Sequence, residues 1–321
     1  WVFGVRTESE AFSQELERTL PDLTTQEVEE LDPMLLASAA FFAQLGWELD
    51  ERWTVMPGVR AEVHDRYGAI VAPRLAAAFQ LAESLGLRAA LGRGFRAPTA
   101  KEFGFEFDHS AIGYRVIGNP DLEPETSWGL SGDVSGRTPD FRVRIGGFYN
   151  FIYDLITLEI ADQQPVPGIV DHSYVNVAEA RTAGADISVR TKLYSVLSLE
   201  AGYAYLWTRD LGADEPLPNR PPHTITLGLL AQTAGLTPSI RYKRVTSSFA
   251  GEVNGEVLRT PTYGLLDLRV AYAFMRELEG YVGVLNVTDE QRDPLDLADT
   301  RPALGRQFYA GVRGELPSEE E

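Results

Sequence analysis

The chain has 321 residues, a formal net charge of −18 and no cysteine. The missing Cys excludes a disulfide framework and any Cys-based zinc site, and the acidic balance argues against nucleic-acid binding. No apolar run approaches the ~18 residues that a membrane-spanning helix needs, whereas 29 Gly, 13 Tyr and 5 Trp suit an all-β chain.

From the N-terminus, "WVFGVR" (residues 1–6) reads as an edge strand, and the opening on Trp1 with no leader before it reads as a cut end. A long connection follows over 10–35, then short ones at 49–52 and 82–86. The strand ending near Gly92 opens into "GRGFRAPTAKEFGFEFDHSAIGYRVIGNPDLEPET" (92–126). Pro98 has no N–H for a ladder bond and restricts Ala97, so the strand stops there. Pro120 and Pro124 act likewise before the next strand begins near Ser127.

Beyond a turn at 136–140, "FRVRIGGFYNF" (141–151) sets Phe141, Val143, Ile145, Tyr149 and Phe151 against Arg142, Arg144 and Asn150. Side chains alternate across a strand, so one face is apolar and the other polar or small. After a long connection at 161–173, "TAGADISVR" (182–190) opposes Ala183, Ala185, Ile187 and Val189 to Thr182, Gly184, Asp186 and Arg190. A turn at 194–197 leads to "SLEAGYAYLWT" (198–208), with Leu199, Tyr203, Tyr205 and Trp207 against Ser198, Glu200, Gly202 and Thr208.

Long connections at 209–222 and 250–261 flank a turn at 232–236. "YGLLDLRVAYAF" (263–274) then sets Leu266, Leu268, Val270, Tyr272 and Phe274 against Asp267, Arg269, Ala271 and Ala273. A turn at 275–279 and a long connection at 295–305 precede "RQFYAGVRGEL" (306–316). There Phe308, Ala310, Val312 and Leu316 oppose Gln307, Gly311, Arg313 and Glu315.

The pattern gives about 14 antiparallel strands of about 10 residues, with tight turns on one side and long loops on the other, as in a transmembrane β-barrel. The tight turns then face the periplasm and the long loops the exterior. Tyr203, Tyr205, Leu266 and Val270 are predicted to face lipid; Arg144, Asp186 and Asp267 face the lumen. Trp47, Trp53, Trp128, Trp207 and Tyr281 stand near strand ends and are assigned to interfacial girdles. The luminal Arg142, Arg144, Arg190, Arg269 and Arg313 are expected to pair with acids on neighbouring strands. A soluble β-sandwich shares the alternation but not this rhythm, and a complete 14-stranded passive pore remains a further alternative.

Several segments resemble the boxes of TonB-dependent outer-membrane receptors. They are "GRGFRAPTAKEF" with "GNPDLEPETS", then "NVAEARTAGADISVR" (176–190), "NRPPHTITLGL" (219–229), "VGVLNVTDEQRDP" (282–294) and "GRQFYAGVRGEL". The resemblance implies a 22-stranded barrel with a plugged lumen, of which residues 1–316 would be the C-terminal portion. A polar tail, 317–321, would follow, and the plug with its TonB-contacting segment would lie upstream. It further implies a bacterial outer-membrane receptor with no resident cofactor. Its partners would be outer-membrane lipid, the TonB energy-coupling complex and a small ligand, a ferric siderophore foremost, with haem or cobalamin as alternatives.

Residues 96–126 form the candidate ligand surface, since exposed loops on a rigid scaffold carry binding. Phe103, Phe105, Phe107 and Tyr114 offer rings to an aromatic chelate; Arg96 and Arg115 offer charge. His109 lies where some haem receptors of the resembled family carry a histidine, and imidazole is an axial ligand for haem iron. His172, in the next long loop, is its only obvious partner. His64 is placed in the lumen and His223 at a strand start. The plainer reading is that the boxes only shape the loop base. No Ser/His/Asp set or nucleophile elbow and no EF-type spacing occurs, so neither an enzyme nor a metal site is expected.

Overall fold

A computed structural model describes residues 1–19, 25–110, 114–161, 169–253, 256–275, 277–291, 293 and 305–314. The first strands are β1 (Val2–Thr19), β2 (Thr25–Gln44), β3 (Trp47–Glu48), β4 (Trp53–His64), β5 (Gly68–Ala82) and β6 (Leu85–Arg96). A short helix α1 (Ala100–Gly104) and strands β7 (Glu106–His109) and β8 (Tyr114–Ile117) follow. Then come β9 (Glu125–Arg137), β10 (Phe141–Ile160), β11 (Val170–Tyr194), β12 (Leu197–Asp210), β13 (His223–Ala231) and β14 (Leu236–Val245). The chain continues through β15 (Phe249–Val253), β16 (Glu256–Arg259), β17 (Tyr263–Met275), β18 (Leu278–Leu285) and β19 (Gln307–Gly314).

The wall is an antiparallel meander in the order β1, β2, β4, β5, β6, β9, β10, β11, β12, β13, β14, β17, β18, β19. These are the 14 strands expected. Among the described residues, no register joins β1 to β19.

The connections differ from the sequence reading in two places. Most of the connection placed at 10–35 is strand, because β1 and β2 pair from Val2↔Gln44 to Thr19↔Thr25. Charged residues there blur the alternation that marks a strand, and ladder hydrogen bonds hold it regardless. A tight turn at 65–67, unnoticed in the sequence, also joins β4 to β5 on the long-loop side. The end of the last predicted strand, Glu315 and Leu316, lies outside the described residues, as does the tail at 317–321.

The tight turns have local causes. Asp50 Oδ1 accepts from the amides of Arg52 and Trp53, closing the turn before β4. Between β13 and β14, Ala234 and Gly235 adopt φ of 45° and 82°, the left-handed pair that a twisted hairpin requires.

Alternation settles the two faces. Tyr203, Tyr205, Ile187 and Val270 stand exposed on the convex side, and Trp47, Trp53, Trp128 and Trp207 are exposed with them. The concave side carries ion pairs that cross strands. Asp133 accepts from Arg88 Nη2 at 2.8 Å and lies 3.5 Å from Arg144 Nε; Arg144 Nη1 lies 3.6 Å from Asp186. Arg190 pairs with Glu200, and Arg269 Nη2 donates to Glu279 at 2.9 Å. These pairs and a cavity of about 890 Å³ lined by Arg142, Arg144, Arg190, Glu200 and Arg241 define a polar lumen. Tyr281 belongs to this lumen, not to a girdle. Its ring lies under the Arg269 guanidinium, 4.6 Å from ring centre to cation, and covers the flat backbone of Gly311 opposite.

Candidate functional site

Residues 97–110 and 114–124 fold against the wall. Thr99 caps α1, accepting from the Glu102 amide while Glu102 Oε2 accepts from the Thr99 amide at 2.7 Å. Phe103 and Phe105, 3% and 6% exposed, enter an apolar core with Leu36 of β2, Ala100, Leu122 and Ile156 of β10. Both rings were expected to face a ligand, and burial leaves them no surface to offer. Phe–x–Phe spacing cannot tell a ring pointing outward from one pointing into a core, and here the apolar rims of β2 and β10 supply the partner.

The loop ends are clamped by polar residues. Arg96 donates to Glu102 and, at 2.7 Å, to Glu125 Oε1, so it anchors the loop base. Asn119 Nδ2 donates to the Tyr174 carbonyl at 2.9 Å. Asn176 Oδ1 accepts from the Glu123 amide at 2.9 Å, and its Nδ2 donates back to the Glu123 carbonyl at 2.9 Å. The "NPDLEPET" and "NVAEA" segments are thus two halves of one clasp.

Between the clamps, β7 and β8 form a hairpin, and β8 adds in parallel to the start of β11, Tyr114↔Val170 through Ile117↔Ser173. The added strand is locked by Arg115, whose Nε and Nη2 donate to the two Asp171 oxygens at 2.8 and 2.6 Å. Asp171 is 2% exposed. A two-point guanidinium–carboxylate pair is the strongest of ordinary charge-assisted hydrogen bonds.

This docking brings four predicted site residues together at the long-loop end. Phe107 and His109 rings are 3.9 Å apart, and His109 Nδ1 lies 2.9 Å from the Tyr114 hydroxyl. His172 meets the Tyr114 ring edge-on at 6.3 Å, and its buried Nδ1 has no hydrogen-bond partner among the described residues. Among the described residues, no group of three metal-ligating side chains is assembled. His64 is luminal, stacked on Tyr67 at 4.2 Å, and His223 starts β13, both as expected.

Residues 31–287 match the family described as TonB dependent receptor-like, beta-barrel. The chain belongs to that family. The receptor barrel is 24% identical over 307 residues to the iron-regulated outer membrane virulence protein of Vibrio cholerae, covering 92% of this chain and 47% of that protein. It is 26% identical over 260 residues to the vitamin B12 transporter BtuB of Photobacterium profundum, covering 80% and 40%. A ferric enterobactin receptor, PfeA of Pseudomonas aeruginosa, solved as a mutant with enterobactin, superposes with a TM-score of 0.74 at 18% identity, over 88% of this chain and 46% of that one. The receptor barrel thus spans about half the length of these relatives. It is an outer-membrane protein of a receptor and transporter family, not an enzyme.

The electrostatics of the receptor barrel's mouth follow from the clasp. The Arg115 guanidinium holds the Asp171 carboxyl below its ordinary 3.8, and Asp171 in turn holds Arg115 above its ordinary range. Burial pushes the Glu102 carboxyl up, but hydrogen bonds from Arg96 and Thr99 outweigh it and leave it lowered. Burial and the Glu102 charge raise the Tyr174 hydroxyl. Sequence reasoning missed Glu102, Asp171 and Asn176, since an isolated loop acid or amide reads as solvated. The Thr–x–x–Glu capping box at 99–102 was a usable signal for Glu102.

Proposed function

We propose that this barrel belongs to a receptor that takes up a scarce iron chelate, a ferric siderophore, from outside the cell. Uptake is driven by the TonB energy-coupling complex of the inner membrane. The observation that supports this reading is the partly buried set of Phe107, His109, Tyr114 and His172, gathered at the long-loop end of a barrel whose lumen is lined by arginines. Rings offer stacking surface to an aromatic chelate, and luminal guanidinium groups attract its negative charge.

The test uses the full-length receptor in iron-starved cells. Combined replacement of Phe107, His109 and Tyr114 by Ala, which spares the buried Phe103 and Phe105, is expected to lower uptake of the cognate ferric siderophore by about tenfold or more. Surface display and heat-shifted migration of the barrel should persist. Uptake of a siderophore panel, haem and cyanocobalamin that is unchanged by this triple variant overturns the assignment of the site. Selective loss of cobalamin uptake instead moves the substrate to the class named for the BtuB relative.

A further inference from the structure

The outward surface of β12, β13, β14 and β17 is a continuous stretch of wall. Its outward positions are Leu199, Ala201, Tyr203, Tyr205, Trp207 and Arg209 on β12 and His223, Ile225, Leu227 and Leu229 on β13. On β14 they are Pro238, Ile240, Tyr242 and Arg244, and on β17 Gly264, Leu266, Leu268, Val270, Tyr272 and Phe274. None is Asp or Glu, in a chain of net charge −18. The basic groups of this surface all lie at its long-loop end.

There, a row of registered neighbours reads Tyr203↔Ile225↔Arg244↔Gly264, and Tyr205↔His223 lies next above it. Arg244 is exposed, and among the described residues no carboxylate pairs with it. His223 Nδ1 lies 2.8 Å from the Tyr203 hydroxyl. When that hydroxyl donates, Nε2 carries the ring proton and is itself a donor. Tyr242 lays its ring across Gly264, leaving its hydroxyl on the same side of the strand as Arg244. Arg209, further out on β12, is engaged by Asp214 at 2.5 Å.

An uncompensated guanidinium on the lipid-facing wall is unfavourable in hydrocarbon and favourable where phosphates lie. The tyrosines and Trp207 beside it mark the boundary level. We propose that Arg244, His223 and Tyr203 form a site for the phosphate of an anionic lipid headgroup in the outer leaflet, with Ile225 and Leu227 packing on its acyl chains. The site has a fixed position on the barrel, unlike a diffuse basic girdle. It is separate from the mouth and from uptake.

The experiment uses the full-length receptor in zwitterionic detergent, with lipid A bisphosphate as probe and binding read by native mass spectrometry. Arg244→Gln is expected to weaken retention roughly fivefold, the effect of one basic residue at a lipid surface. His223→Ala weakens it further, and Arg244→Lys keeps most of it. Heat-shifted migration of each variant verifies the fold, and Arg244→Lys separates loss of charge from misfolding. Equal retention by wild type and Arg244→Gln overturns the site. So does equal retention of dephosphorylated lipid A, which would mean that only acyl chains are held. Displacement of the lipid by inorganic phosphate at matching concentration would show a free-anion site and overturn the lipid assignment.

Discussion

At the scale of single residues, the mouth depends on Asp171. It is 2% exposed and makes a two-point contact with the Arg115 guanidinium, which favours its ionised form. Its folded-state pKa lies below the ordinary 3.8. The pairing therefore contributes fully above that pH and is lost as pH falls through the folded value. Protection of the Tyr114–Ile117 amides, taken relative to their intrinsic exchange rates at each pH, should be high at neutral pH and fall in strong acid. Arg115→Ala leaves the carboxylate buried without its cation, and exchange of the same amides should rise on the order of tenfold at pH 7. Unchanged exchange in the variant would mean that β8 is held by its backbone ladder alone. Sequence reading marked Arg115, His109, Tyr114 and His172 alike as candidate ligand contacts but had no means of pairing Arg115 with an acid 56 residues away. Nor could it distinguish a clamp from a ligand contact.

At the scale of elements, the wall strands were legible because lipid outside and water inside impose the same two-residue period on each. Faces read from 141–151, 182–190, 198–208 and 263–274 agree with the register pairings. What escaped was everything that depends on a partner strand: the extent of β1 and β2, the luminal orientation of Tyr281, and the packing of 97–110 and 114–124. Tyr281 sits opposite Gly311 because a ring needs a bare backbone to lie on, and neither residue reveals this alone. Gly311→Val would drive a side chain into the Tyr281 ring and should loosen β19 against β18, lowering the temperature at which the folded band disappears on a gel. In the loop, Phe103→Ala removes the most buried ring of the small core. It should reduce local stability by about 3–5 kcal/mol, seen as protease cleavage within 97–124 on intact cells while the barrel stays assembled. A loop that remains protease-resistant would show that the clasp residues suffice without the core.

Taken whole, the molecule separates charge by surface. The concave wall carries the cross-strand ladder from Arg88 through Asp133 and Arg144 to Asp186, and the convex wall is mostly aliphatic and aromatic, with Arg209, His223 and Arg244 near its long-loop end. The ladder is half-exposed, so each pair is worth little alone. Asp133→Ala should therefore lower barrel stability by about 1 kcal/mol or less, measured as a small shift of the urea midpoint, while leaving the Arg88 and Arg144 cations on either side of β9 without the carboxylate between them. A collapse of the barrel would show that the ladder acts as one cooperative network.

The long hairpin of β10 and β11 carries a final consequence. The 25 residues of β11, at about 3.3 Å each, extend about 80 Å. At a tilt near 40° that is roughly 60 Å of height, against an apolar band of about 25 Å. Much of this hairpin must stand clear of the bilayer as a stiff ribbon with the docked loop braced on its flank. Sequence change in the part of the ribbon beyond the bilayer need not disturb the wall below, provided that the stretch from Val170 to Ser173, which holds β8, is left alone.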